Sequence, residues 1–530
     1  MKKTSNTLVE SSLILILSTG LVKIISAFFK IPLASDNFLG EVGFGYFSVA
    51  HDLYMPFYLL AITGLPTAVS HIVSKNVSKN AQNDILNSFS SCRRLFTFLG
   101  IFISLALVLI TLPLCIVSNG ENNSYYSIFA IIPSVFLCFI ISAYRGYFEG
   151  FSNMYPTAIS KVIEAVSKLV LGLLFSYIAL RLTKNVAFAS VFAITAITLG
   201  TAISTLYLHI KFRKNNTLKS KISKTYQKGE LKLYLRLSLP FVFAGLTASI
   251  VALLDVFCVK IPLSLASDSY INTVALQNGE LSGDFSALLY GIRSKAFTVY
   301  NLIPTFTASL GVGALPIITS LAVDGNKAEL KQNVNYTLKL ISVVTFPAAI
   351  GLTVLSARIM NILYSNSSVL GENLLKIYGI TALFAGFSIP LITVLQAIDK
   401  KRSAIINITI TIVIKIVSSL ILVSFAKVNI YAAAISTLIC YLYLCTSVFV
   451  VLFKAIGKCD IKNTLLKPLF SALVCGISAL LVSQISESML VTALAIITAV
   501  LIYAIFILLT KTFSKSEISE FPLINRLFKR

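Results

Sequence analysis

One pattern recurs from one end of this chain to the other: about twenty apolar residues, a short polar turn, and then about twenty more. Twenty helical residues match the hydrocarbon thickness of a bilayer. A single soluble core cannot absorb so many such stretches, so the pattern predicts an all-α integral membrane protein. Only 12% of residues are charged, about half the share of a soluble domain. The segmentation predicts fourteen transmembrane helices, near 10–32, 46–72, 94–117, 126–148, 156–180, 187–210, 238–262, 296–321, 335–357, 375–397, 404–426, 430–453, 466–486 and 490–511. A long polar loop is expected over 262–296. The lysines at the N-terminus imitate a signal peptide, but the apolar run continues past Lys23 with no small-residue cleavage site. It therefore reads as a retained first helix.

A net charge of +23 would suit nucleic acid if it lay on a soluble face. Instead the basic residues gather in alternate loops, at Lys75, Lys79, Arg93 and Arg94, at Lys400, Lys401 and Arg402, and at Lys454, Lys458, Lys462 and Lys467. The segment Lys211–Arg236 holds nine basic residues against Glu230 alone. The other loops carry Asp36, Glu41, Glu121, Asp268, Glu280, Asp284 and Glu487. This is the positive-inside pattern and not a nucleic-acid footprint, and it places both termini in the cytoplasm. Eight scattered cysteines without a CxxC, and three histidines, indicate no disulfide frame, metal centre or cofactor. There is no GxxxxGK[ST] loop and no extramembrane segment long enough for a catalytic domain, so no enzyme is expected.

The chain repeats itself. Lys30-Ile31-Pro32 at the end of the first helix returns as Lys260-Ile261-Pro262 at the end of the seventh. Gly64-Leu65-Pro66 in the second returns as Ala314-Leu315-Pro316 in the eighth, and Lys168 aligns with Lys415. Six helices per copy is an even number, so both copies share one orientation and are related by an axis along the membrane normal. The expected organisation is two pseudosymmetric six-helix lobes, 1–212 and 237–457, a basic cytoplasmic linker at 213–236, and an additional helix pair with a basic tail at 458–530. Two such lobes around a central cleft suit alternating access, which makes a transporter the leading class.

Lys23 and Lys30 lie seven residues apart, on nearly one helical face. An ammonium facing lipid costs about 3 kcal/mol, so lysines at this depth turn toward a polar interior. The plainer alternative is that they snorkel to the two membrane surfaces. Lys161, Glu164 and Lys168 form a second stripe at i, i+3 and i+7. Together with Asp52 these residues predict a net cationic cavity suited to an anionic head group; the alternative is that the charges pair to fix helix packing. His51 and Asp52 open the second helix as gating candidates or interfacial caps, and Glu164 joins them as a coupling candidate. Asp255 is either a site for Na+ or H+ or a partner of Lys260. Arg145 and Glu149 fall in an expected cytoplasmic turn, and Arg293 and Lys295 lead into the eighth helix. Prolines 56, 66, 240, 304, 316, 347 and 390 are expected to kink or hinge their helices.

The runs FFKIPLAS, LGEVGFGYFSVAHDLY, GLPTAVSHIVSK, YRGYFEGFSNMYPTAISKVIEAVSKLV and LIPTFTASLGVGALP resemble the stage V sporulation protein B-like branch of the polysaccharide biosynthesis proteins. That branch lies within the multidrug/oligosaccharidyl-lipid/polysaccharide exporter superfamily, which also contains lipid II flippases. The resemblance implies fourteen helices in two lobes and translocation of an undecaprenyl-diphosphate-linked saccharide in a bacterial plasma membrane, by a monomer. It also implies that Lys23, Lys30, Arg293 and Lys295 line the diphosphate site. Lys30 stands where arginine is expected and Lys161 where glutamine is usual, and lysine lacks the bidentate fork of arginine. Two other classes stay open: an ion-coupled multidrug exporter, and a scaffold for cell-wall assembly.

Overall fold

A computed structural model describes residues 2–78, 82–117, 123–215, 250–278, 284–364, 368–457, 459–486 and 488–513. Most of the basic linker, the first half of the seventh predicted helix with Pro240, and the basic tail beyond 513 lie outside the described residues. What is described is helical throughout, with no strand among those residues. The first helices are α1 (Lys2–Leu33), α2 (Gly40–Leu59), α3 (Leu65–Ser78), α4 (Gln82–Val117), α5 (Ser124–Gly150), α6 (Tyr155–Thr183) and α7 (Val186–Asn215). They are followed by α8 (250–264), α9 (Asp268–Asn278), α10 (Phe285–Tyr300), α11 (Leu302–Val323) and α12 (Lys327–Val354). The rest are α13 (Ser356–Leu363), α14 (Val369–Ala397), α15 (Lys401–Val423), α16 (Tyr431–Ile456), α17 (Lys462–Ser483) and α18 (Met489–Leu509).

Eleven of the described helices are long and apolar enough to cross a membrane, or up to twelve if a bent pair around Pro316 counts as one span. Burial runs opposite to that of a soluble protein. Along α18, Leu490, Ile497 and Leu501 are exposed while Ala495 and Ala499 are buried. Bulky apolar groups face lipid, and small or polar ones face neighbouring helices, where they let backbones approach.

The chain divides into two compact units. The first comprises Met1–Lys295 with Val423–Ile430, and the second Ala296–Leu422 with Tyr431–Arg530; the division falls inside α10. Within the first unit, Tyr270 on α9 ties the short return segment down by donating its hydroxyl to the Val423 carbonyl at 2.8 Å.

Three wide π-helical turns share one cause. They span Leu60–Gly64, Val256–Lys260 and Lys462–Leu466, and each ends two residues before a proline: Pro66, Pro262 and Pro468. In each, the residue before the proline donates to the carbonyl five positions back. A proline inside a helix has no N–H and presses its ring on the carbonyl four residues earlier. Widening the preceding turn relieves that clash without breaking the helix. The bend around Pro316 is 41°.

Two expectations change. The segment from Arg145 to Gly150 is helix and not turn; the chain reverses only at 151–154, where Ser152 takes a positive φ of 57°. The polar stretch 262–296 contains two helices rather than one loop. Asp284 caps the second of them: its Oδ1 accepts from the Ala287 N–H at 3.1 Å and from the Ser286 hydroxyl at 2.9 Å. Arg293 and Lys295 therefore lie two turns or more inside α10, not at its start.

Candidate functional site

The site is assembled within the first unit by a close crossing of α2 and α10. A Cβ on Gly45 would fall onto the carbonyl of Ala287, and one on Gly291 onto the carbonyl of Glu41. Only glycine permits this approach of backbones. It brings the polar residues of α10 onto the acidic residues of α2. Tyr290 donates its hydroxyl to Asp52 Oδ2 at 2.8 Å, and Arg293 Nη1 donates to the same oxygen at 3.1 Å. Arg293 Nη2 pairs with Asp255 of α8, and Lys295 Nζ lies 3.5 Å from Glu41 Oε1. Arg293 and Asp255 are wholly shielded from solvent. A buried guanidinium needs this doubled acidic partnership to offset its desolvation.

α1 adds a further cation. Lys30 Nζ lies 3.5 Å from His51 Nδ1, next to Asp52. The same His51 Nδ1 stands 3.6 Å from Asp52 Oδ1, so the imidazole lies between the Lys30 ammonium and the Asp52 carboxylate. Among the described residues no carboxylate comes within ion-pair distance of Lys30. Lys23, two turns earlier on α1, is half-buried.

A second cluster lies beside the first. Glu164 of α6 accepts from Arg145 Nη2 at 2.8 Å and from Lys168 Nζ at 2.6 Å. Thr201 of α7 reaches Glu164 Oε1 at 3.4 Å, and Arg145 Nε donates to the Ser160 hydroxyl at 3.1 Å. The Lys168 ammonium stands 4.7 Å from the ring centre of Tyr58 and 5.8 Å from that of Tyr54. His51, Tyr54 and Tyr58 line one face of α2 at i, i+3 and i+7, with Tyr54 stacked on Tyr58 at 5.3 Å. This aromatic face runs from one charge cluster to the other.

The structure thus brings Lys30, His51, Asp52, Asp255, Arg293 and Lys295 into one neighbourhood, and Glu164 and Lys168 into the next. Lys161 is half-buried on the first turns of α6. Arg145 is the member that sequence reasoning missed, having assigned it to a turn; it is fully buried. The signal was available in Glu164, an acid flanked on its own helix face by lysines and in need of a buried partner. Chemically, the first cluster has its acids engaged by Arg293, Tyr290 and Lys295, which leaves the Lys30 ammonium with no described carboxylate in ion-pair contact. Such a group can recruit an oxyanion from a ligand.

Lys415, which the sequence aligns with Lys168, behaves differently. Lys415 in the second unit is fully buried on α15, and its ammonium donates to Ala433 O, Ser436 Oγ and Thr437 Oγ1 at 3.0, 2.7 and 2.8 Å.

The sequence model of the polysaccharide biosynthesis protein family matches residues 8–322, and that of the MatE family residues 292–421. Two proteins of Bacillus subtilis (strain 168) are similar along most of the chain. Lipid II flippase MurJ is 25% identical over 508 residues, covering 91% of this chain and 89% of that one. Stage V sporulation protein B is 24% identical over 540 residues, covering 99% of each. Among solved structures, lipid II flippase MurJ in an inward closed conformation aligns with a TM-score of 0.69 at 15% identity, over 93% of this chain and 98% of that one. At that identity the likeness concerns the fold.

Proposed function

The chain belongs to the polysaccharide biosynthesis protein family, and from that membership we propose that it is a flippase for an undecaprenyl-diphosphate-linked saccharide. It moves the head group from the inner to the outer leaflet of the bacterial plasma membrane, as a monomer with fourteen helices and both termini in the cytoplasm. The observation that carries this reading is Lys30, held on α1 beside His51 with no described carboxylate within ion-pair distance. In an apolar interior that ammonium attracts a diphosphate, while Arg293, fixed between Asp52 and Asp255, keeps the surrounding frame rigid. The polyprenyl tail stays in lipid, and rocking of two six-helix lobes presents the head group outside, with Na+ or H+ as the coupling ion. Proteoliposomes containing the protein are expected to expose a fluorescent undecaprenyl-diphosphate saccharide to an impermeant quencher on the far leaflet. No exposure above protein-free vesicles, with an active control flippase, overturns the reading.

The MatE match over residues 292–421 favours a second reading, ion-coupled multidrug export. It requires an acidic site for cationic drugs, and Asp52 and Asp255 are already engaged by Arg293. Drug susceptibility of an exporter-deficient host carrying the gene separates the two.

A further inference from the structure

At the basic-loop end of the first unit, α4, α5 and α7 meet through aromatic residues. Phe212 of α7 packs on Phe89 of α4 at 4.7 Å between ring centres, and Tyr144 of α5 lies 5.4 Å from Phe89 and 5.8 Å from Phe212. Two arginines adjoin this cluster. Arg93 Nη1 donates to the Tyr144 hydroxyl at 3.3 Å, and its guanidinium lies 5.8 Å from the Phe89 ring centre. The same hydroxyl shares a hydrogen bond with His209 Nδ1 at 2.8 Å, and Arg213 follows His209 by one turn of α7. Both guanidinium groups are close enough to act on the imidazole, and no carboxylate is.

Among the described residues no carboxylate lies within ion-pair distance of Arg93 or Arg213. Asp84, the acid nearest to Arg93 along α4, precedes it by about two and a half turns and so sits on the opposite face. Glu149, near the end of α5, has Lys161 and Arg145 acting on it. Cations that merely flank a membrane extend into water. Arg93 is instead half-buried and held by a phenol and an aromatic face, neither of which cancels its charge. The position is interfacial. α7 has 30 residues and spans about 45 Å, roughly 15 Å more than the hydrocarbon core, and its polar surplus is the end at 211–215. Before that end Leu199, Ile203, Leu206 and Ile210 are exposed at i, i+4, i+7 and i+11, and Arg213 continues the stripe at i+14. A molecule lying along this face meets apolar side chains first and a guanidinium at the boundary.

We propose that Arg93 and Arg213 bind the phosphate of an anionic phospholipid in the leaflet on the side of the basic loops. A guanidinium meets a phosphate with two parallel N–H donors. The stripe on α7 supplies contact for an acyl chain, which a soluble phosphate does not have. The site is separate from the Lys30–Arg293 cluster and does not depend on what the protein carries. Each arginine near such a surface contributes about five-fold in affinity, so the pair gives roughly twenty-five-fold.

The test uses the full chain in neutral detergent, titrated with phosphatidylglycerol or phosphatidylcholine and read by thermal unfolding and native mass spectrometry. Phosphatidylglycerol is expected to bind and raise the melting temperature where phosphatidylcholine does not. Arg93→Gln with Arg213→Gln should remove that preference. Lys400→Gln with Arg402→Gln takes the same charge from an exposed turn of the second unit and should leave binding unchanged. If this control pair loses as much as the Arg93–Arg213 pair, or the latter binds like the wild type, the site is overturned. Equal stabilisation by inorganic phosphate or glycerol phosphate at the same concentration overturns the lipid assignment while retaining the phosphate. Displacement of phosphatidylglycerol by undecaprenyl phosphate at about a hundredth of its concentration overturns the assignment to bulk lipid. If the double variant melts early without lipid, Arg213→Gln alone, at an exposed position, decides the matter: a loss of about five-fold supports the site, and unchanged binding overturns it.

Discussion

At Arg293 a single guanidinium meets Asp52 on one side and Asp255 on the other, all three in the interior of the first unit. Removing the cation leaves two carboxylates facing each other without water. Arg293→Met should therefore destabilise the protein by about 3–5 kcal/mol, read as a fall in melting temperature in detergent and as poor membrane yield. Replacing all three residues with apolar ones of similar size should recover much of that loss, since an apolar core has no desolvation cost to offset. Lys30 presents the opposite case. Its described contact is the His51 ring, and Asp52 keeps Tyr290 and Arg293 as partners, so Lys30→Ala strands no buried ion and should cost less than about 1 kcal/mol of stability. The same substitution should reduce head-group translocation at least ten-fold. Lys30→Arg should retain translocation, because a guanidinium grips a diphosphate in two places. Loss of folding in Lys30→Ala would show that the lysine is a packing element and not a ligand for substrate.

The α2–α10 crossing converts residues far apart in the chain into one site. Gly291→Ala would drive a methyl group into the carbonyl of Glu41, and the flexible end of a side chain is not there to yield. The two helices must separate, and the Asp52–Arg293 pair stretches with them. A melting temperature lowered as much as in Arg293→Met, together with lost translocation, is the expected result; Gly313→Ala, at a glycine with open space around it, should be neutral. Helix identity was legible in the sequence because span length and hydropathy are local properties. Of the prolines that distort α3, α8 and α17, Pro66 alone was expected to bend its helix; Pro262 was read only as part of the repeat, Pro468 was not read at all, and the form of the distortion, a widened turn ahead of each, showed in none of them. Gly45 and Gly291 gave no sign of their role, since a close approach is a property of two helices and shows in neither alone. Arg145 was hidden likewise: an apolar run that ends in YRGYFEG reads as a membrane boundary until a buried acid on α6 draws the helix onward.

Across the whole molecule, the two lysines that the sequence aligns, Lys168 and Lys415, are accommodated in two ways. In the first unit, Glu164 stands between Arg145 and Lys168 and all three are charged. In the second, the aligned Lys415 ammonium is satisfied by a carbonyl and two hydroxyls. Alignment of Lys168 with Lys415 could be read from the sequence, but not this divergence, because the partners lie on other helices. The consequence for stability is unequal. Glu164→Leu leaves two cations buried side by side and should cost about 3–5 kcal/mol. Lys415→Met leaves Ser436 and Thr437, whose hydroxyls already donate to the carbonyls of Ala432 and Ala433 at 2.6 and 2.5 Å. Those groups need no replacement partner, and methionine fills the space of the lysine stem, so the cost should stay below about 1.5 kcal/mol. Limited proteolysis of the two variants in detergent is the measurement: Glu164→Leu should open cleavage sites within Met1–Lys295 first, while Lys415→Met should resemble the wild type. A large loss in Lys415→Met would mean that its ammonium, and not the helix packing around it, organises the second unit. A buried charge would then organise the second unit as well as the first, and the proposal that substrate charge is handled in the first would lose its structural basis.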